Sequence, residues 1–288
     1  MATPNTVARV GISGWRYAPW RGVFYPENLP QRRELEYAAG HLDTLEINGT
    51  FYSLQRPASY RDWHDTAPGH FVFAVKGGKF VTHVRMLHDV RIPLANFFAS
   101  GVLTLDDKLG PMLWQLPPWY HYNPETMEEF LGLLPRTADE ARALSAEHSD
   151  FLDEDHVATG TSGNFPLRHA VEVRHESFAT PRFYEQLARH NTALVVADTA
   201  GTWPELREIT ADFVYARLHG HGQLYAGGYP DPVLDEWAAT VRGWLTGDGC
   251  PDGQGRDAFI YFDNDTKIRA PHDAMALAER LGRGPAPA

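Results

Sequence analysis

The chain has 288 residues, of which 43% are apolar and 22% charged, so it can bury a large core and lacks the composition of a disordered or low-complexity protein. Its 26 Lys and Arg against 37 Asp and Glu give a net charge of -11, which disfavours non-specific binding to nucleic acid or to a membrane surface. Cys250 is the single cysteine, which excludes an intrachain disulfide and a thiolate metal cluster. Because residues 1–9 carry no signal-like apolar run and eighteen apolar residues nowhere follow one another, we expect a cytoplasmic location.

Short segments rich in Val, Ile, Leu and Phe alternate along the chain with segments of helical composition. The predicted strands cover residues 7–15, 44–51, 70–76, 111–116, 169–175, 192–198, 213–219 and 257–263. The predicted helices cover residues 32–39, 59–65, 82–99, 124–134, 181–190, 204–210, 231–245 and 272–281. Each predicted strand is therefore followed by a predicted helix.

This alternation requires parallel pairing, and eight such units close into a single (βα)8 TIM-type barrel that takes up residues 1–288. An open doubly wound sheet is the structural alternative, but the first strand lacks the G-x-G-x-x-G spacing that would favour a dinucleotide-binding sheet. Residues 137–164 interrupt the alternation and are interpreted as a solvated acidic insertion between the fourth helix and the fifth strand. Within this insertion, residues 138–148 have helical composition. Residues 284–288, at the other end of the chain, are interpreted as a C-terminal tail.

Polar side chains share one face of several predicted strands. In the second strand Glu46 and Asn48 alternate with Leu45 and Ile47. The fifth and seventh strands repeat this pattern with Glu172, Arg174, Tyr215, Arg217 and His219. Three more strands end on polar residues, which are Lys76, Gln115 and Asp198. Since helices cover the outside of such a barrel, the polar set is predicted to point inward near the carboxyl ends, where active sites of this fold lie.

These residues provide two sets of candidates for chemistry. The predicted catalytic residues are acids, bases or nucleophiles: Glu46, Lys76, Glu172, His175, Asp198 and His219. The predicted substrate-binding residues are polar or aromatic: Trp15, Asn48, Gln115, Arg174, Arg217, Tyr225 and Asn264. A closed structural ion network is the alternative, because Glu46, Glu172 and Asp198 balance Lys76, Arg174 and Arg217.

Short motifs at the strand ends resemble those of the YecE-like family, a domain of unknown function (number 72) found in uncharacterised TIM-barrel proteins. In the first half they are Gly11-Ile-Ser-Gly-Trp15, Glu46-Ile-Asn-Gly-Thr-Phe-Tyr52, Phe73-Ala-Val-Lys76, Lys108-Leu-Gly-Pro111 and Gln115-Leu-Pro117. In the second half they are Glu172-Val-Arg-His175, Asp198, Arg217-Leu-His-Gly220, Tyr225 and Tyr261-Phe-Asp-Asn264. The resemblance implies a (βα)8 barrel without an established activity. The chain departs from the family pattern at Ile12, Gly49, residues 77–79, Asp263 and the 137–164 insertion.

Three functional hypotheses follow. The leading one is a metal-independent acid/base enzyme, of hydrolase, lyase or isomerase type, acting on a small polar, anionic or sugar-like molecule. The second is a divalent-metal hydrolase of phosphate esters, for which the carboxylates and His219 would supply ligands. The third is a non-catalytic ligand-binding barrel, suggested by an aromatic rim and by the glycine-rich loop 220–229, which could hold an anion or act as a lid. Under the leading hypothesis we expect a small-molecule partner and no cofactor.

Overall fold

A computed structural model of the chain describes residues 6–282. The predicted tail at 284–288 lies outside the described residues, and so do residues 1–5 of the N-terminal stretch 1–9 considered above. Within residues 6–282 eight parallel strands follow one another in chain order around a closed barrel. They are β1 Ala8–Ser13, β2 Thr44–Ile47, β3 Val72–Lys76, β4 Leu109–Gln115, β5 His169–Glu172, β6 Thr192–Asp198, β7 Phe213–Leu218 and β8 Asp257–Phe262. The predicted (βα)8 TIM-type barrel is confirmed.

The described part of the chain has nine α-helices, and they lie between the strands and after the last one. They are α1 Glu34–Ala39, α2 Gly49–Tyr52, α3 Pro57–Thr66, α4 Arg91–Ala99, α5 Pro124–Leu133, α6 Ala138–Ser145, α7 Pro181–Arg189, α8 Asp231–Thr246 and α9 Ala270–Arg280. Three of them begin with a side-chain cap, because Asn123, Thr137 and Thr180 each accept a hydrogen bond from a backbone N–H of the first turn.

Several sequence predictions of local structure are wrong. The fifth strand ends at Glu172 instead of residue 175, and the third predicted helix begins at Arg91 instead of residue 82. The second strand ends at Ile47 instead of residue 51, where α2 begins at Gly49 and the Thr50 hydroxyl lies within hydrogen-bonding distance of the Ile47 carbonyl (3.0 Å) and of the Lys76 carbonyl (2.6 Å). No helix forms over residues 204–210. That segment has only seven residues, and Leu206 and Ile209 are the two aliphatic side chains with which a helix there could pack.

The described chain divides into two compact units. The discontinuous unit combines the chain up to Glu46 with the chain from Ala193 onward, and the continuous unit runs over Ile47–Thr192. The assignment of residues 1–288 to a single domain stays a prediction.

The core of the discontinuous unit contains apolar residues of alternate parity on β1, β2, β7 and β8. They are Val10, Ile12, Leu45, Ala216, Leu218, Ile260 and Phe262, and all are fully or almost fully buried. The helices α8 and α9 add Trp237, Val241 and Leu277. Parallel strands covered by helices bury both faces, which explains why these strands are so rich in apolar residues.

The core of the continuous unit is centred on Trp114 of β4. Its ring packs against Phe97 and Phe130, with centroid distances of 5.5 and 5.6 Å. The predicted insertion contributes to this unit, because α6 contacts α4 and buries Ala138 and Leu144. The helical composition predicted within residues 138–148 is therefore confirmed, and its helix is packed rather than merely solvated.

Candidate functional site

A buried polar network surrounds the Glu46 carboxylate at the end of β2. The Ser13 hydroxyl donates to Oε1 at 2.7 Å, and the Tyr215 hydroxyl donates to Oε2 at 2.6 Å. Arg217 donates to both oxygens, from Nη2 to Oε1 at 2.8 Å and from Nε to Oε2 at 3.1 Å. All four side chains are buried. Removing Arg217 would leave the Glu46 carboxylate buried without the cation that binds both of its oxygens, so Glu46 and Arg217 form a fixed unit.

Asp263, the residue that follows β8, connects this network to solvent. Its Oδ2 accepts a hydrogen bond from Arg217 Nη2 at 3.0 Å and lies 2.9 Å from His219 Nδ1. The Asp263 side chain is 16% exposed, whereas those of Arg217 and His219 are 1% and 0% exposed. A ligand would therefore reach the network through the Asp263 carboxylate.

A second carboxyl lies close to the first, on Asp265. Burial and then the negative charge of Asp263 raise the pKa of Asp265 well above its ordinary value. The Tyr17 hydroxyl donates to the Ser13 carbonyl at 2.8 Å. Its interaction with Asp265 lowers the pKa of that carboxyl and offsets part of the increase that burial and Asp263 cause. Asp265 therefore favours its protonated form next to the Asp263 side chain.

Aromatic rings surround His219. The ring of Tyr225 meets it edge-on at a centroid distance of 5.4 Å, and that of Trp203 does so at 6.4 Å.

Asp198, at the end of β6, has contacts other than the hydrogen bonds that surround Glu46. Its Oδ1 accepts from the Ala200 backbone N–H at 3.2 Å, and its carboxylate interacts with the Tyr229 hydroxyl.

The glycine-rich loop 220–229 folds back on itself. The backbone N–H of Gly220 donates to the Tyr229 hydroxyl at 3.1 Å, and that of Gly227 donates to the Gln223 carbonyl at 2.7 Å. The N–H of Tyr229 donates to Asp273 at 3.1 Å. Because these donors already have partners, the loop offers few of the open N–H groups that an anion site of this kind requires.

Two predicted binding residues of the discontinuous unit have contacts that support the fold. Asn264 is fully buried, and its Nδ2 donates to the Gly227 carbonyl at 2.9 Å and to Asp273 at 2.8 Å. Trp15 is 6% exposed, and its carbonyl accepts from the Tyr25 hydroxyl at 2.7 Å. Their binding roles stay predictions.

The continuous unit contains a second ion pair. Arg174 donates from Nε to Oε1 of Glu172 at 2.7 Å, and the side chains are 11% and 1% exposed. The predicted residues Glu172 and Arg174 therefore lie together. As in the first pair, the cation is an arginine whose fork geometry suits a carboxylate.

Positive charge accumulates around His83 in the same unit. The Lys76 ammonium lies 4.3 Å from the centroid of the Phe51 ring, which in turn meets the His83 ring at 5.0 Å. Burial, followed by the positive charges of Lys76 and Arg174, lowers the pKa of His83 to about 4 against a smaller opposing effect of Glu172. At neutral pH His83 is thus an uncharged imidazole beside several cations.

The other predicted residues of the continuous unit have local roles. His175 Nδ1 accepts from the Ser177 backbone N–H at 3.1 Å, and the His175 ring lies 3.9 Å from that of His121. Gln115 is buried and donates from Nε2 to the Leu116 carbonyl at 2.6 Å. Asn48 lies between β2 and α2, and its side chain caps no N–H of that helix.

Several residues of these clusters were not among the predicted site residues. Tyr215 shares strand parity with Arg217, and Ser13 has the matching position on β1, opposite Glu46 in the strand register. Asp263 was noticed only as a departure from the family pattern. Asp265 and His83 lie in a 3-10 turn and a π-helical turn outside the strands, where the period-two pattern gives no signal.

Two features of the described chain bear on function. Within residues 6–282 no three or more His, Cys, Asp or Glu side chains are grouped so that they could bind a metal ion. No helix in this part of the chain has the length and apolar character needed to cross a membrane.

These features define the class of the protein as a parallel eight-stranded α/β barrel with ionisable residues at the carboxyl ends of its strands. The chain belongs to the family described as "Protein of unknown function DUF72", whose model matches residues 9–288. The YecE-like resemblance inferred from the motifs is confirmed.

Similar proteins agree with this assignment. The chain is 23% identical over 188 residues to the UPF0759 protein YunF of Bacillus subtilis, a match that covers 62% of this chain and about half (54%) of the length of YunF. The crystal structure of a DUF72 family protein from Thermotoga maritima has a TM-score of 0.74 and 23% identity, over 96% of this chain and 100% of the other. One from Enterococcus faecalis has a TM-score of 0.71 and 15% identity, over 98% and 99% of the two chains. At these identities the structures support the fold alone.

Proposed function

We propose that this DUF72 barrel is a metal-independent enzyme that catalyses acid/base chemistry on a small polar molecule in the cytoplasm. Asp265 is the general acid and Asp263 the general base. The observation that carries the proposal is the pairing of two neighbouring carboxyls in contrasting environments. Such pairs assign the acid and the base, because the environment drives their pKa values apart.

The base is held ionised by its neighbours. Arg217 donates to Asp263 at 3.0 Å, and His219 lies 2.9 Å away. A positive guanidinium at this distance favours the carboxylate over the carboxylic acid. The same positive charge would repel a divalent cation from Asp263, which is why the proposal omits a metal.

The acid holds its proton for the opposite reason. Burial and the charge of Asp263 raise the pKa of Asp265, so its protonated form persists where an ordinary aspartate would be ionised. Asp265 can then deliver a proton to an oxygen of the substrate while Asp263 accepts one from water or from carbon. This division of roles is common to hydrolases, lyases and isomerases.

Glu46 and Arg217 are positioning residues in this scheme. Both are buried, and the Ser13 and Tyr215 hydroxyls supply the remaining hydrogen bonds to Glu46. The arrangement fixes the guanidinium so that one of its nitrogen atoms faces Asp263. A catalytic carboxylate benefits from such support, because small displacements of a reacting group slow catalysis greatly.

The continuous unit contains a positively charged cluster of its own that would attract an anionic group. Lys76, Lys79 and Arg174 place three positive charges near His83, with Glu172 as the acidic partner there. An anionic group is attracted to such a cluster, and an arginine can bind a carboxylate or a phosphate with two parallel hydrogen bonds.

The proposal can be tested without knowing the substrate. Chelator-treated protein would be incubated with a pool of small polar and anionic metabolites, and conversion would be followed by mass spectrometry. We expect the wild type and Asp150→Asn, an exposed aspartate outside both clusters, to convert the same compound. Asp263→Asn and Asp265→Asn should each be slower by about 10²–10⁴-fold, the range that general acid/base catalysis contributes.

Three outcomes would contradict the proposal. Equal conversion by the wild type and Asp263→Asn would show that Asp263 is not the general base. Conversion that appears only after a divalent metal is restored would favour the metal-hydrolase alternative. A compound that co-purifies with the protein and is recovered unaltered after long incubation would favour a non-catalytic binding barrel.

A further inference from the structure

We infer that the continuous unit has a second ligand site, a cavity that binds an uncharged, ring-containing apolar molecule. The cavity has a volume of about 970 Å³, which is at the upper end of the range for small-molecule sites. It lies between the turns that follow β2 and β3, the first turns of α4 and the end of the predicted insertion. Lys76, Lys79, His83, Glu172 and Arg174 are not among its lining residues. The cationic cluster borders the cavity at one point, where the Lys79 ammonium lies 5.9 Å from the centroid of the Tyr52 ring.

Several residues that line the cavity are large apolar side chains with high solvent exposure. Tyr52, Phe80, Ile92 and Phe151 line it, with exposed fractions of 70%, 53%, 43% and 81%. They make up half of the eight large apolar residues that are exposed within residues 6–282. Apolar residues scattered singly over a surface need no explanation, but a concentration of them around one concavity indicates a binding site.

The far wall of the cavity is fastened in place by the insertion. Glu147 accepts a hydrogen bond from Arg91 Nε at 2.6 Å. The backbone N–H of Ser149 donates to Asn96 Oδ1 at 2.9 Å, and that of Ala158 donates to the Ala99 carbonyl at 2.9 Å. These bonds attach residues 147–158 to α4 at both ends. A wall that is already ordered lowers the entropy that a ligand must overcome on binding.

The near wall has a strained backbone. Residues Phe80–Val84 form a π-helical turn, a form that is rare and occurs often at functional sites. Directly after it Met86, Leu87 and Asp89 have φ values of 48°, 68° and 50°. Non-glycine residues in this region cost free energy and persist where the surrounding structure requires them, which occurs often at ligand sites.

The charged lining residues already have partners, which defines the ligand as uncharged. Arg85 donates to Asp89 at 3.1 Å, and Asp153 is paired with His156. An ionised ligand would bury its charge among the apolar residues without a free counter-charge in the described lining, at a high desolvation cost. The aromatic walls instead suit a ring system, which packs edge-on or offset against Phe and Tyr side chains.

Two fluorescent probes that differ by one charged group test this inference. N-phenyl-1-naphthylamine is uncharged, and 8-anilinonaphthalene-1-sulfonate is the same ring system with an added sulfonate. We expect saturable binding of one uncharged probe per chain, with fluorescence enhancement and weaker binding of the sulfonate. Tighter binding of the sulfonate would overturn the assignment to an uncharged ligand.

Variants then locate the probe. Ile92→Glu and Phe151→Ser should each weaken binding of the uncharged probe by about tenfold or more, since each removes apolar lining or buries a charge beside the ligand. Val84→Glu is the matched control, because Val84 is 56% exposed in the same segment but does not line the cavity. All three side chains are exposed, so the folded state should persist, which circular dichroism checks.

Unchanged affinity in Ile92→Glu and Phe151→Ser, equal loss in Val84→Glu, or no saturable binding would each overturn the inference. Self-association in analytical ultracentrifugation that is abolished by Phe151→Ser and that competes with the probe would also overturn it. In that case the apolar surface would be an interface between copies of the chain. None of these outcomes depends on the activity of Asp263 or Asp265.

Discussion

Arg217 holds the carboxylate of Glu46 with two parallel hydrogen bonds, from Nη2 to Oε1 at 2.8 Å and from Nε to Oε2 at 3.1 Å, and both side chains are buried. This geometry uses the full fork of the guanidinium. It makes the pair a rigid support, and it predicts a large effect when one partner is removed.

The variant Glu46→Gln should lose about 3 kcal/mol of unfolding free energy, because it removes the carboxylate that accepts two hydrogen bonds from the buried Arg217 guanidinium and leaves that charge with its contact to Asp263. Urea denaturation followed by circular dichroism measures this loss. Glu36→Gln is the matched control, since Glu36 forms an exposed pair with Arg33 at 2.8 Å, and little change is expected there. Similar midpoints for the two variants would contradict the buried-pair interpretation.

The close approach of β1 to β2 predicts a steric effect at Gly11. A Cβ atom there would lie 1.8 Å from the Thr44 carbonyl oxygen, so Gly11→Ala should destabilise the protein by about 3 kcal/mol through overpacking. Gly132→Ala, in α5 and with open space around the new Cβ, should instead stabilise it by about 0.5–1 kcal/mol. Thermal unfolding of the two variants distinguishes these effects, and a tolerated Gly11→Ala would show that the strands can separate.

The raised pKa of Asp265 predicts a pH dependence of stability. In the unfolded chain this carboxyl titrates near its ordinary value of about 3.9, and the folded state binds the proton more tightly. The contribution of Asp265 is therefore most favourable below that pH and declines as the pH rises through the folded-state pKa. Asp265→Asn should remove this decline. The stability of the variant relative to the wild type should therefore increase from acid to neutral pH. Urea midpoints at several pH values measure the difference, and parallel curves for the two proteins would contradict it.

The pKa of His83 predicts the opposite trend for an imidazole. Its folded-state pKa of about 4 lies below the ordinary value of 6.5. The unfolded chain thus binds the proton first, and the contribution of His83 to stability declines as the pH falls from about 6.5 towards 4.

The pH titration of the His83 imidazole NMR signals should have its midpoint near 4 in the wild type. The midpoint should be higher in Lys76→Met, since Lys76 is among the charges that lower the pKa of His83. Lys267→Met removes a lysine that is hydrogen-bonded to Gln223 in the discontinuous unit, and it should leave the midpoint unchanged. An ordinary midpoint in the wild type would contradict the burial of His83 beside these cations.

The sequence predicted the strands better than the turns. The alternation of polar and apolar residues on β2 and β7 identified Glu46 and Arg217 as members of one polar face, because a strand has a period of two. The same rule did not reveal Asp265, which follows β8 in a 3-10 turn. Nor did it reveal that the strand ends before Asn48. Phe51 and Tyr52 prolong the apolar pattern of the sequence, but these residues belong to α2, where Thr50 contacts the Ile47 and Lys76 carbonyls.

Roles were harder to predict than positions. Asn264 has the polarity of a binding residue, yet its amide joins the 220–229 loop to Asp273 of α9. Only three-dimensional contacts show that the next residue towards β8, Asp263, connects to Arg217 and His219 instead.

The division into a continuous and a discontinuous unit has a consequence for synthesis on the ribosome. Residues 47–192 can complete their contacts as soon as they emerge, whereas Glu46 waits for Arg217, which lies 171 positions later in the chain. At a translation rate of about 5–20 residues per second, this delay is on the order of 10–30 seconds. During that time the nascent β2 lacks the arginine that neutralises its carboxylate, so a strand that is synthesised early is among the last to reach its native environment.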